Sequence, residues 1–211
     1  MTPIAHLAAL AVADRALAAS DPLMRRLVAR HGPCTLKPHW RRGPYESLVR
    51  AVMHQQLHGN AAAAILGRFV ALHPGSGFPA PSDVLGTSDE ALRGAGLSRQ
   101  KISYVRAIAE AAVSGVVPVS RSGIARLDDE AIIGRFTEVR GVGRWTVEMF
   151  LIFGLGRLDV LPIDDYGVRA GFLRHARGRD DIKPRELGAH GARWAPYRSV
   201  AAWYLWRAVE A

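Results

Sequence analysis

The chain has 211 residues, 49% of them hydrophobic, so it can bury a core either as one large domain or as two small lobes sharing a cleft. Its 28 Lys and Arg against 19 Asp and Glu give a formal charge of +9, with the excess nearly all Arg; such a field favours phosphate-rich partners, although a GC-rich coding bias also yields Arg-rich, Ala-rich chains. The single cysteine, Cys34, excludes an intramolecular disulfide and a four-cysteine zinc or iron–sulfur site, and with no run of membrane-spanning length and no basic leader before Asp14 and Arg15 the expectation is a cytoplasmic, non-secreted protein.

Apolar residues recur at helical spacing nearly throughout, as in Leu48, Val49, Val52, Met53 and Leu57, or in Tyr104, Val105, Ile108 and Ala112. The pattern predicts an all-α chain with helices near 21–30, 45–55, 60–71, 81–85, 89–95, 98–114, 128–137, 144–153, 166–175, 184–194 and 197–209. Gly/Pro-rich breaks at 73–81 and 115–118 punctuate it, without a long charged linker, an internal repeat or a low-complexity tract.

In chain order, the first segment with unusual chemistry is His54-Gln55-Gln56-Leu57-His58-Gly59-Asn60, where large polar groups interrupt two apolar helix patterns. A plain polar helix–helix turn accounts for it equally well. His54 and His58 stand four residues apart, but no Glu or third ligand accompanies them, so a metal site is not the reading. Gly96-Leu97-Ser98-Arg99-Gln100-Lys101 then looks like a capped helix start, with Lys101 as solvated helix charge.

The densest signal is Glu138-Val139-Arg140-Gly141-Val142-Gly143-Arg144-Trp145-Thr146. Two helical patterns meet at Gly141-Val142-Gly143, so the turn can adopt positive φ and bring backbone N–H groups to a helix N-terminus, where a phosphate oxygen fits. Arg140 and Arg144 flank the turn and could add salt-sensitive contacts that carry no sequence information. Glycines also serve in any tight connection between two packed helices, so a Gly-x-Gly alone leaves both readings open. Some twenty residues later, Leu161-Pro162-Ile163-Asp164-Asp165-Tyr166-Gly167-Val168-Arg169 places an acidic pair at a helix start, where either Asp suits an N-cap.

With Tyr45-Glu46-Ser47-Leu48 through Leu57, the Gly96–Lys101 segment, the hairpin, the acidic pair and Trp194-Ala195-Pro196-Tyr197-Arg198-Ser199, the chain resembles over residues 40–211 the helix-hairpin-helix base-excision glycosylases, and within them the DNA-3-methyladenine glycosylase II group. The resemblance implies two helical lobes flanking a DNA-binding cleft: residues 1–40 with about 166–211, and 41–165 carrying the hairpin. It also implies a compact form without the N-terminal β-rich domain of larger members. Asp165 takes the catalytic position and Asp164 is cap or support; a fixed carboxylate stabilises positive charge on the deoxyribose and can orient the attacking water. Trp145 and Trp206 become walls of a pocket for the extruded base, able to attract a cationic purine, with Met149 where a relative carries an aromatic residue. Core packing remains an equal reading for both tryptophans. Arg140, Gly141, Val142, Gly143, Arg144 and Thr146 form the DNA-backbone hairpin. Gln55, Gln56, Leu57 and His58 form a minor-groove loop with Gln56 or Leu57 as the wedge.

Trp145 also stands where the resemblance puts the Schiff-base lysine of bifunctional relatives, so the implied activity is hydrolysis that leaves an abasic site without cutting the strand. No cofactor and no iron–sulfur cluster are implied, apart from a Na⁺ or K⁺ at the backbone of Thr137, Val139 and Val142. The implied partner is double-stranded DNA with alkylated bases of the 3-methyladenine or 7-methylguanine type, bound by a monomer. Two alternatives stay open: a non-catalytic helix-hairpin-helix module, and a glycosylase for oxidised or mismatched bases.

Overall fold

The computed structural model describes residues 3–55, 59–75, 77–175 and 180–210. In chain order the α-helices are α1 (Pro3–Ser20), α2 (Pro22–His31), α3 (Pro44–His54), α4 (Gly59–Ala71), α5 (Pro81–Gly86), α6 (Asp89–Gly94), α7 (Arg99–Val113), α8 (Asp129–Thr137), α9 (Arg144–Met149), α10 (Tyr166–His175), α11 (Pro184–Gly191) and α12 (Arg198–Glu210). Single 3-10 turns stand at Arg121–Gly123 and Ala192–Trp194. The starts follow from the sequence: Asp21, Ser88, Ser98 and Asp128 accept backbone N–H groups of α2, α6, α7 and α8, and proline opens α2, α3, α5 and α11, where a missing N–H costs nothing. Among the described residues every regular element is helical, and no helix is long and apolar enough to cross a membrane.

The chain divides into two compact units, residues 41–150 and residues 1–40 with 151–211. In the central unit α3 packs on α7, burying Leu48, Val49, Val52 and Met53 together with Ile102, Val105, Ile108 and Ala109, while α8 packs on α9. Gly43 is required at the start of α3, since a Cβ there would stand 1.7 Å from the Val119 carbonyl oxygen.

In the terminal unit α12 is the central element and runs against α10, α2 and α1. Ser199, Val200, Ala201, Ala202, Trp203, Tyr204, Leu205 and Ala208 of this helix are buried. Gly171 lets α10 approach so closely that a Cβ would lie 2.0 Å from the Leu205 carbonyl oxygen. Buried carboxylates tie the unit together. Asp14 accepts from the Tyr204 hydroxyl (2.8 Å) and the Cys34 N–H (3.1 Å), and Asp21 from the Leu23 N–H (2.8 Å), the Trp194 indole (2.8 Å) and His190 Nε2 (2.9 Å).

Three features depart from the sequence expectation. Residues 3–20 form a long helix where none was expected, because α1 buries His6, Leu10, Ala13 and Leu17 yet exposes Ile4, Leu7 and Val12, so no polar face marks its period. The helix expected over 144–153 ends as an α-helix at Met149 and continues as a π-helical turn, Phe150–Leu155. The boundary between units falls at 150/151 inside that turn, so residues 151–165, assigned by sequence to the central lobe, group with the terminal unit instead.

Candidate functional site

The hairpin lies in the central unit between α8 and α9. Its two glycines do different things. Gly141 is left-handed, with φ +88°, and a Cβ there would sit 2.2 Å from the Tyr104 ring, so both conformation and packing demand glycine. Gly143 is extended, with φ −89° and ψ 166°, a conformation open to any residue. A Cβ on Gly143 would meet nothing within 4 Å, and as N-cap of α9 it gives no side-chain hydrogen bond to the first turn. The positive φ expected of the turn therefore occurs at Gly141 and not at Gly143. Val139 and Val142 point into the core, and the Val142 N–H closes the turn on the Val139 carbonyl at 3.0 Å.

Three hairpin residues are placed otherwise than a row of phosphate contacts would need. Arg144 forks onto Glu130, with Nη2 on Oε1 and Nη1 3.0 Å from Oε2, and its Nε reaches Glu148 Oε1 at 3.1 Å. Hydrogen bonding to Arg144 holds the Glu130 carboxyl below its usual range, and the same bond raises the guanidinium. Arg144 thus braces α8 against α9. Thr146 is 2% exposed and faces Gln55, whose Nε2 stands 3.4 Å from both Thr146 Oγ1 and the Gly141 carbonyl. Val142, 4% exposed, contributes backbone only. Arg140 and Trp145 are exposed, Met149 half-buried.

The loop that follows α3 starts at Gln55; Gln56, Leu57 and His58 of the expected wedge lie outside the described residues. Lys101 corrects the sequence reading. It is not a solvated charge: its Nζ donates to the carbonyls of Val52 (2.7 Å), Met53 (2.9 Å) and Gln55 (3.0 Å). The last carbonyls of any helix lack intrahelical donors, and here one ammonium from α7 supplies three of them. Burial lowers the Lys101 pKa. The run Ser98-x-x-Lys101 on a capped helix was visible in sequence, but its target forty-six to forty-nine residues away was not.

In the terminal unit the acidic pair separates into two roles. Asp164 is exposed, whereas Asp165, half-buried, takes the N-cap of α10: its Oδ1 accepts the Val168 N–H at 2.8 Å. The cap function expected of Asp164 therefore belongs to Asp165. The same oxygen accepts the Trp206 indole N–H at 2.8 Å, so α12 reaches across to hold the carboxylate. Trp206 stacks on Phe153 of the π-helical turn, with ring centres 5.7 Å apart and an interplanar angle of 26°. Sequence reasoning missed Phe153, which sits in an apolar run with no periodic signal. The loop into Asp165 is fixed further back, where Arg198 forks onto Asp159 (2.7 and 2.9 Å) and Ser199 bonds both backbone groups of Val160. A cavity of about 340 Å³ opens beside Trp206, lined by the rings of Phe153, Trp203 and Trp206 and by Lys37, Arg207 and Glu210 among others. Of the expected pocket residues, the structure brings Trp206 to Asp165; Trp145 and Met149 belong to the central unit.

The chain is similar to known proteins over most of its length. The chain is 44% identical over 165 residues to DNA-3-methyladenine glycosylase 1 of Schizosaccharomyces pombe, covering 78% of this chain and 72% of that protein. It is 34% identical over 196 residues to the alkylbase DNA glycosidase-like protein mag2 of the same organism, covering 92% of each. The solved structure of the S. pombe 3-methyladenine DNA glycosylase Mag1 in complex with abasic DNA superposes with a TM-score of 0.82 at 39% identity, over 92% of this chain and 95% of that one. Residues 49–196, spanning the Lys101 cap, the hairpin and Asp165, match the profile of the HhH-GPD superfamily base excision DNA repair proteins, and the chain belongs to that family.

Proposed function

We propose that this protein is a monofunctional DNA glycosylase that extrudes an alkylated purine from duplex DNA and hydrolyses its N-glycosidic bond. The observation that carries the reading is Asp165, a carboxylate fixed at a helix N-terminus by two N–H donors on one oxygen. Breaking the bond to the base leaves positive charge on the deoxyribose, and a carboxylate that needs no reorganisation stabilises that charge. The base departs with the bonding electron pair, and water adds to the sugar carbon after losing a proton, for which Asp165 is the acceptor or orienting group. Alkylation at a ring nitrogen makes the base a good leaving group already, so no separate general acid is called for. With Trp145 in place of a lyase lysine, the product is an abasic site in an uncut strand.

DNA binding rests on the hairpin. Gly143 leaves open space over an α9 first turn that no side chain caps, so a phosphate can come to its backbone, with exposed Arg140 adding charge. Arg144 holds that turn in shape. A monovalent cation would be held by the carbonyls of Thr137, Val139 and Val142, adding positive charge to the turn; the Val139 carbonyl accepts one N–H and keeps a lone pair for it. Gln55 to His58 fill the gap left by the extruded nucleotide, and the aromatic faces beside the Trp206 cavity replace its lost stacking. The names of the S. pombe relatives support the alkylated-base class, and the abasic DNA in the solved relative supports a duplex partner.

The test is release of free base from methylated duplex by wild type and Asp165→Asn, followed by an alkaline step. Methylpurine release with strand breaks only after alkali, abolished in the variant, supports the reading. Duplex binding without release by either protein overturns it in favour of a binding module.

A further inference from the structure

Gly167 is the second residue of α10, two residues after the cap made by Asp165, and it is not among the glycines with positive φ. Its backbone conformation therefore does not call for glycine, and alanine would be the better helix former. The reason lies in its surroundings. A Cβ at Gly167 would stand 2.8 Å from Trp206 Cδ1, 3.3 Å from Trp206 Nε1 and 3.2 Å from Asp165 Oδ1. All three atoms belong to the indole–carboxylate contact. Gly171, one turn later on the same helix, differs: its crowding comes from the backbone of Leu205 and serves helix packing alone.

We infer that Gly167 is a positioning residue for the reaction, its bare α-carbon giving the Cδ1–Nε1 edge of the Trp206 indole the clearance to reach the first turn of α10 and fix the Asp165 carboxylate. The indole cannot yield to a methyl group at no cost, because Phe153 stacks on it and Trp203 and Leu205 of its own helix are buried. A Cβ at 2.8 Å from Cδ1 forces the indole edge to shift or turn, which lengthens and tilts the 2.8 Å bond from Nε1 to Asp165. Asp165 then loses the indole's hold, while the Val168 N–H that remains is a bond a simple N-cap can make in more than one rotamer. The helix start survives and the aim of the carboxylate is lost.

This inference rests on the glycosylase reading, and one set of variants separates the two. Single-turnover release of methylpurine from methylated duplex is measured for wild type, Gly167→Ala, Trp206→Phe, the double variant and Asp165→Asn, alongside duplex affinity and the Trp206 indole N–H resonance in ¹⁵N-labelled protein. Gly167→Ala is expected to slow release at least tenfold with affinity unchanged, to move the indole resonance upfield, and to cause no further loss once Trp206 is Phe. A Gly167→Ala rate within twofold of wild type while Asp165→Asn is inactive overturns the inference alone, as does an unmoved indole resonance or an equal loss in both backgrounds. An active Asp165→Asn overturns the glycosylase reading beneath it.

Discussion

The starts of α9 and α10 are two helix N-termini in different units, and they are finished in opposite ways. At α10 the cap is a carboxylate, bonded to the Val168 N–H and held from outside by an indole, so the donors and the acceptor satisfy each other within the protein. At α9 the cap is Gly143, which offers no side chain and has empty space where one would be. A helix start left bare in this way keeps its positive end for an external anion, while a pinned cap fixes a negative charge in place. On the proposed function, the first helix start would receive phosphate and the second would present charge to a sugar.

The largest effect that would break the contrast is at α10. Asp165→Asn keeps a good N-cap but removes the charge, so excision should fall on the order of 10²–10³-fold while the thermal midpoint barely moves; an equal loss of stability would make Asp165 a structural cap. The hairpin glycines come next. Gly141→Ala forces a methyl group into Tyr104 at φ +88° and should lower unfolding free energy by about 2–4 kcal/mol in urea titration. Gly143→Ala should cost at most about 1 kcal/mol yet weaken duplex binding roughly tenfold or more. If the two exchange phenotypes, the open space over Gly143 is not where a phosphate approaches.

Lys101→Met should cost about 1–3 kcal/mol by taking the ammonium from the carbonyls of Val52, Met53 and Gln55, of which Val52 keeps the Gln55 N–H, and it should also reduce excision through the loop that begins at Gln55. The smallest effect concerns acid. Burial pushes the Asp21 carboxyl up, but hydrogen bonds from Trp194, Leu23 and His190 outweigh it and leave its pKa below 3.8. Its stabilising contribution is complete above 3.8 and is lost as pH falls through the folded-state value. Urea midpoints measured downward from pH 5 should therefore decline more steeply for wild type than for Asp21→Asn.

Residues whose role is local were legible in the sequence. The positive φ of Gly141 and the backbone caps made by Asp21, Ser88, Ser98, Asp128 and Asp165 all act within a few residues of themselves. Roles that depend on distant partners were not: Lys101 looks like any surface lysine until α3 ends beside it, and Arg144 looks available until Glu130 and Glu148 take it. The choice between Asp164 and Asp165 as cap turned on one residue of helix register. α1 was hidden because alanine on every side erases the contrast between faces.

The central unit is one uninterrupted stretch, residues 41–150, whereas the unit around it is closed by both ends of the chain. On the ribosome the segment with the hairpin is synthesised before α10 and α12, and the faces of α1 and α2 that meet α12 stay uncovered until it is made. Trp206 emerges five residues before Ala211. The hairpin unit can therefore fold during synthesis before the Trp206 indole reaches Asp165, so on the proposed function the part that would bind phosphate forms ahead of the part that would carry the chemistry.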